Sequence, residues 1–290
     1  MFVHTTVVAG QQPSDGPAAR QPIAARPSAA TPPAIAVNLG SGRTQVWLAG
    51  QGSVCCPTGD TVGTVVRRGR VVDGSGCIVV LSQLIRRYRQ PIPPGSVVVV
   101  CRTVLATVAE QDSIRRVVAE VFASSRVLFI DTVRAAAVGT GAAAGSLLIA
   151  DIGAELTEVA VLDHGRVQAA RQADIGTRDL ARGAPTDLVA QATVRMINEL
   201  RHDPTTPAVV AAALTRGLVV VGDGATNPDL TLRIATTLRI RVNSAASPRA
   251  AALNGAGLAA MAAARHPALH DTRGNRATPV PARRRRKETP

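Results

Sequence analysis

The sequence predicts an α/β architecture, and three observations carry that expectation. Short apolar runs of strand length alternate with segments whose apolar residues recur at helical spacing. Two strand–glycine turn–strand units match each other at a constant offset of 113 residues, Asn38 falling on Asp151 and Thr44 on Thr157. The 290-residue chain is 46% hydrophobic but only 2% aromatic, so its sizeable core must be built from Val, Ala, Leu and Ile.

Residues 34–39 and 44–49 are apolar runs joined by Gly40-Ser41-Gly42-Arg43, the pattern of a β-hairpin with a glycine-bearing turn. Val71 and Val72 lead into a predicted helix over 78–89, with Ile78, Leu81, Leu84 and Ile85 on one face. A buried strand is expected at 96–101. A helix follows at 112–123, with Ile114, Val117, Val118 and Val121 aligned. Residues 127–130 read as a strand and 133–139 as a short Ala-rich helix. Residues 146–150 and 157–162 form the second hairpin. Helices are expected at 187–200, 229–238 and 248–264, with a strand at 218–221 running into Gly222-Asp223-Gly224.

The formal net charge of +13 is unevenly placed. Residues 265–290 hold eight basic groups against Asp271 and Glu288 and end in Arg283-Arg284-Arg285-Arg286-Lys287. Such a run repels itself and stays extended, so 265–290 is expected to be a disordered basic tail. Residues 1–33 contain six Pro and few large apolar side chains, and are expected to be disordered too. The core is therefore placed at 34–264. No apolar run approaches the ~18 residues of a membrane span, and no charged-then-apolar leader pattern opens the chain. Cys55, Cys56, Cys77 and Cys101 make no CxxC pair and read as reduced small hydrophobes in a cytoplasmic protein. Bases have few stacking partners, only Phe2, Trp47, Tyr88, Phe122 and Phe129, which argues against single-strand nucleic-acid binding.

The duplicated turns suit phosphate binding. A glycine lets backbone N–H groups approach an anion, and a neighbouring hydroxyl adds a donor. Candidate binding residues are Asn38, Gly40, Ser41 and Gly42 in the first unit and Asp151, Gly153 and Thr157 in the second. Asp151 is also the candidate to hold Mg through water. Gly222, Gly224 and Ala225, after an apolar strand, suit close packing of a base or sugar.

In order, these motifs resemble those of the actin/Hsp70/sugar-kinase ATPases, and within them the bacterial actins of the MreB and Mbl type. Asn38-Leu39-Gly40-Ser41-Gly42-Arg43-Thr44 is similar to the first phosphate motif. Asp151-Ile152-Gly153-Ala154-Glu155-Leu156-Thr157-Glu158-Val159-Ala160 is similar to the second. Asp131 to Gly139 resembles the interdomain helix, and Val221-Gly222-Asp223-Gly224-Ala225 the adenosine motif. Ser247 to Gly257 resembles the last helix. The resemblance implies an actin-like (ribonuclease H-like) two-lobed fold, with lobe I at about 34–140, lobe II at about 141–247 and a closing helix at 248–264. It also implies ATP and Mg as ligands, and a rod-shape-determining role at the cell wall.

Several stations depart from the family pattern. The first motif's Asp is Asn38, which has no charge for Mg. The second turn carries Ala154 and Glu155, where a Cβ and a carboxylate oppose phosphate approach unless the Glu faces solvent. The family's water-orienting Glu falls on Ile114, with Asp112 nearby, and Asp131-Thr132 retains one of two acids. No catalytic residue is assigned, and ATP binding is expected to be weak or absent, with hydrolysis slow or none. The chain between the motifs is short, which implies reduced outer subdomains. The expected role is a cytoskeletal or scaffold protein of cell shape and cell-wall synthesis. It would act with a MreB-family paralogue or the cell-wall machinery, in the cytoplasm or at the inner membrane face, where the 283–287 run would meet anionic lipid. The alternative is a nucleotide-dependent kinase or Hsp70-like ATPase, which needs a substrate domain or an intact acid between the lobes.

Overall fold

The computed structural model of the chain describes residues 33–58, 64–93, 95–124 and 126–266. The Pro-rich segment up to residue 32 and the basic run at 283–287 lie outside them. The first half contains β1 (Ala34–Leu39), β2 (Arg43–Leu48), β3 (Gly52–Pro57), the two-residue strands β4 (Val66–Arg67) and β5 (Arg70–Val71), α1 (Gly74–Ile85), β6 (Val97–Arg102), α2 (Val108–Phe122), β7 (Val127–Asp131) and α3 (Thr132–Gly139). The second half contains β8 (Ser146–Ile152), β9 (Thr157–Asp163), β10 (Arg166–Ala173), α4 (Thr177–Ala181), α5 (Thr186–Arg201), α6 (Pro207–Arg216), β11 (Leu218–Val221), a 3-10 turn (Gly224–Thr226), α7 (Pro228–Leu238), β12 (Val242–Ser244) and α8 (Ala251–Arg265).

The two halves have the same sheet. One has strand order β3-β2-β1-β6-β7 and the other β10-β9-β8-β11-β12. In each, the first three strands in sequence pair antiparallel and the next two join parallel. The register repeats as well: Asn38 faces Gln45 across β1–β2, and Asp151 faces Glu158 across β8–β9.

Both faces of each sheet are covered, which is why the central strands read as continuous apolar runs. Ile35, Val37 and Leu39 of β1 point outward into a cluster with Leu81, Leu84, Val117 and Val118 of α1 and α2. Ala34 and Ala36 point the other way, toward α3 and α8. Likewise Leu148, Ala150 and Ile152 of β8 pack outward against α5, α6 and α7, while Leu147 and Ile149 point inward. The α3–α8 pair thus forms a middle layer shared by both sheets. It is thin because its helices touch backbone to backbone: a Cβ on Gly139 would land on Ala251 O, and one on Gly255 on Ala135 O.

Helix starts follow capping chemistry more than apolar spacing. α1 begins four residues before the predicted start, where the Asp73 carboxylate accepts from Gly76 N at 2.9 Å. α2 also begins four residues early, at a capping box of Thr107 and Glu110. α8 begins three residues late, because residues 247–250 form a turn in which Ala250 N donates to Ser247 O. The sequence reading missed β3 and β10 altogether. Both are edge strands, half-exposed and without an apolar run. Among the described residues, the only strands between β3 and α1 are the β4–β5 ribbon, and the only helix between α5 and β11 is α6. No helix among them is long and apolar enough to cross a membrane.

Candidate functional site

The two glycine turns face each other across a cleft, and their internal geometry repeats. Gly40 N donates to Arg43 O at 3.0 Å in the first, and Gly153 N to Leu156 O at 2.9 Å in the second. The turns nearly touch: a Cβ on Gly42 would lie 2.8 Å from the Ala154 Cβ. The first turn is tied to the β4–β5 ribbon by Gly69 N donating to Ser41 Oγ at 3.3 Å. The second is held by the start of α4, where Thr177 N donates to Gly153 O at 2.9 Å and Arg178 N to Ala154 O at 2.7 Å. Gly176 has no room for a side chain there, since its Cβ would meet Gly153 O and the Ala154 carbonyl.

A cavity of about 110 Å³ remains between the turns. Asn38, Gly40, Ser41, Gly42, Asp151, Gly153 and Gly222 all line it, so the structure brings seven of the predicted residues together. Three others lie off it. The buried Thr157 hydroxyl donates to Ile175 O at 2.8 Å, on the α4 side. Gly224 packs on Ile152, and Ala225 is buried in the lobe II core. Gly222 is in the left-handed region at φ 82°, and a Cβ there would meet Asp151 Oδ1 and Ile152 O.

The repeat places chemically different pairs at equivalent positions in the cavity. Lobe I contributes two amides, with Asn38 Nδ2 donating to Gln45 Oε1 at 3.3 Å. Lobe II contributes two carboxyls, Asp151 and Glu158. Glu158 is 3% exposed, and its Oε1 accepts from Val104 N at 2.6 Å across the cleft. Burial pushes the Glu158 carboxyl up to about 8, against the lowering effect of that hydrogen bond and with help from the charges of Asp151 and Asp131. Burial and the nearby Asp223 push Asp151 up to about 6. Burial, helped by the charges of Asp151 and Glu158, drives the Cys101 thiol upward, so it is inert as a nucleophile. The oxygen donors of Asp151 and Glu158 suit a hard cation such as Mg chemically. Among the described residues, no group of three or more His, Cys, Asp or Glu is gathered to hold a metal by itself.

Sequence reasoning missed the arginines. Arg43 Nη2 and Arg249 Nε both reach Asp223 Oδ1, at 3.0 and 2.9 Å. Arg178 Nη1 pairs with Glu155 Oε1 at 2.7 Å, and its Nη2 donates to Ser41 O and Thr58 O. Glu155 does not face solvent: it is 7% exposed, and its Oε2 accepts from Arg68 N at 3.2 Å. Neither position considered for orienting a water brings a carboxylate to the cavity. Ile114 is buried in the outer core of lobe I, and Asp112 is exposed and paired with Arg115.

No family model matches the chain, and no curated protein does. Solved structures do. MreB5 of Spiroplasma citri bound to AMPPNP superposes with a TM-score of 0.70 at 16% identity, over 80% of this chain and 97% of that one. The fold is that of the actin-like ATPases. MreB5 bound to ADP gives the same TM-score at 15% identity, over 81% and 98%. The ethanolamine utilization protein EutJ of Carboxydothermus hydrogenoformans gives 0.55 at 16% identity, over 78% and 89%. In the actin-like fold of this chain, the facing turns of β1–β2 and β8–β9, with Gly222 after β11, form the interlobe cleft.

Proposed function

We propose that this chain is an actin-family cytoskeletal or scaffold protein of the MreB type, acting in cell shape and cell-wall synthesis, with a cleft that binds nucleotide weakly and hydrolyses it slowly or not at all. One observation carries the reading: the chain's own side chains crowd the cleft between the phosphate turns and leave little room there. Its volume of about 110 Å³ is well below the roughly 300–1,000 Å³ of ordinary ligand pockets. Phosphoryl transfer depends on positioning and on a group that orients the nucleophile, and Ile114 supplies none. The MreB5 structures carry AMPPNP and ADP, which supports a nucleotide as the ligand of this cleft when it opens. Asp151 would then hold the accompanying Mg through water, and the ion would neutralise phosphate charge.

A protein of this kind would work by docking to a fuller MreB-type paralogue, with the 283–287 run as a tether to anionic lipid. The test is light scattering and electron microscopy of the purified chain, with and without ATP, alongside phosphate release. Mostly monomeric or dimeric protein with negligible turnover is expected. Regular nucleotide-dependent filaments would point instead to an active polymerising ATPase. The Asp151–Glu158 carboxyl pair favours a second reading, a nucleotide-dependent enzyme with Glu158 as its base. Measurable phosphate release abolished by Glu158→Gln would support it.

A further inference from the structure

Two arginines, Arg43 and Arg249, line the cleft, and a third, Arg178 of α4, backs its turns; each is paired with a carboxylate of the same chain. Arg178 and Glu155 are both nearly buried, with side-chain exposures of 14% and 9%. The two Glu155 oxygens take a guanidinium and the backbone N–H of Arg68, which are the donor types that phosphate oxygens take. Asp223 Oδ1 bridges Arg43 and Arg249, while its Oδ2 lies 3.2 Å from where a Cβ of Gly42 would stand. That puts a carboxylate against the glycine turn itself. Glu155 stands at the repeat position of Gly42, so the second turn carries an anion where the first carries a glycine. The cleft also keeps an unused donor: Arg43 Nε is buried and finds no partner. An arginine serving only as a structural ion pair needs no such spare N–H.

We propose that Glu155 and Asp223 are built-in occupants of the cleft's anion site. They take the arginines that a phosphate-bearing ligand would use, and a di- or triphosphate enters only by displacing them. The proposal rests on the reading of this cleft as a nucleotide cleft. It adds that the weakness is imposed by two side chains and is not a loss of the donors. The same contacts join the lobes. Arg43 to Asp223, Arg68 N to Glu155, and Arg178 to Ser41 O and Thr58 O all run between the halves. Displacement therefore loosens the closed form as the ligand enters.

The experiment is calorimetric titration of the full chain with inorganic pyrophosphate and with ATP. Wild type is compared with Glu155→Gln, Asp223→Asn and the double variant, each first checked by thermal melting. The amides keep side-chain volume and remove charge. Wild type should bind pyrophosphate weakly. The double variant should bind at least about tenfold tighter, the worth of roughly one charge-assisted hydrogen bond, with the gain reduced by salt. If the double variant does not fold, Asp223→Asn decides. It leaves the Arg178–Glu155 pair intact and should still gain. Equal pyrophosphate affinity in wild type and the folded variants overturns the proposal. Tight ATP binding by wild type would instead overturn the weak-nucleotide reading itself. Weak binding throughout leaves that reading standing and removes only the built-in occupants.

Discussion

Gly255 is the most constrained position in the middle layer, and Gly255→Ala tests whether the two lobes share one rigid helix pair. A methyl there would land on Ala135 O and lie 2.8 Å from Gly139 N. Both neighbours are backbone, so no side chain can swing away. Replacing glycine by alanine inside a helix gains about 1 kcal/mol of propensity. Overpacking against fixed atoms costs about 3 kcal/mol, at the upper end of the usual range. The net is a loss of about 2 kcal/mol, equivalent to about 4–8 °C in melting temperature for a domain of this size. Gly74→Ala is the control. It lies in the first turn of α1, and its Cβ would meet only Val117 Cγ2 at 3.7 Å. Thermal unfolding followed by circular dichroism compares the two. If Gly255→Ala melts with wild type, or above it as Gly74→Ala should, the helices are not in backbone contact and the shared layer is wrongly drawn.

Three further outcomes are expected. Glu158 and Asp151 have carboxyls raised above their unfolded values. Their contribution is therefore full below about pH 4 and is lost as pH rises through about 6 and then about 8. Stability should fall across that window, and Glu158→Gln should flatten the upper part of the fall in denaturant titrations run at several pH values. Asn38→Asp places a charge opposite Gln45 in the cavity and should strengthen Mg-dependent ATP binding, measured by calorimetry. No change would mean that Asn38 is not what limits cation binding. Removing residues 267–290 takes away a net +5 and should leave the melting temperature unchanged. It should also weaken pelleting with anionic vesicles in a salt-screened manner; pelleting indifferent to the deletion would refute the tether.

The duplication was legible because its evidence is local. Asn38-Leu39-Gly40 and Asp151-Ile152-Gly153 carry the turn in consecutive residues, and the central strands announce themselves by being buried on both faces. The edge strands β3 and β10 gave no such signal, since half-exposed strands such as Gly52–Pro57 need no apolar pattern. The cleft was legible as glycines and acids but not as arginines. Arg43 meets Asp223 across 180 positions, and Arg178 meets Ser41 across 137. No spacing rule anticipates a contact that exists only once two lobes have closed. In an arginine-rich chain, Arg43, Arg178 and Arg249 look like any other surface charge. The offset of 113 already matches Gln45 with Glu158, but only the strand register shows that they face Asn38 and Asp151.

The middle layer also sets an order of events during synthesis. The inward face of β1 and β6, with Ala34, Ala36, Val97 and Val99, is covered by a cluster that includes Ala251, Ala252, Ala256 and Ala260 of α8. Those residues leave the ribosome after the whole second sheet has been made. At roughly 5–20 residues per second, the first sheet waits about 6–26 s with that face covered only by α3. The N-terminal half is thus the last to be completed, although it is the first to emerge. A nascent chain arrested before residue 251 should be held by chaperones through the part of that face α3 leaves uncovered, and released once α8 is translated.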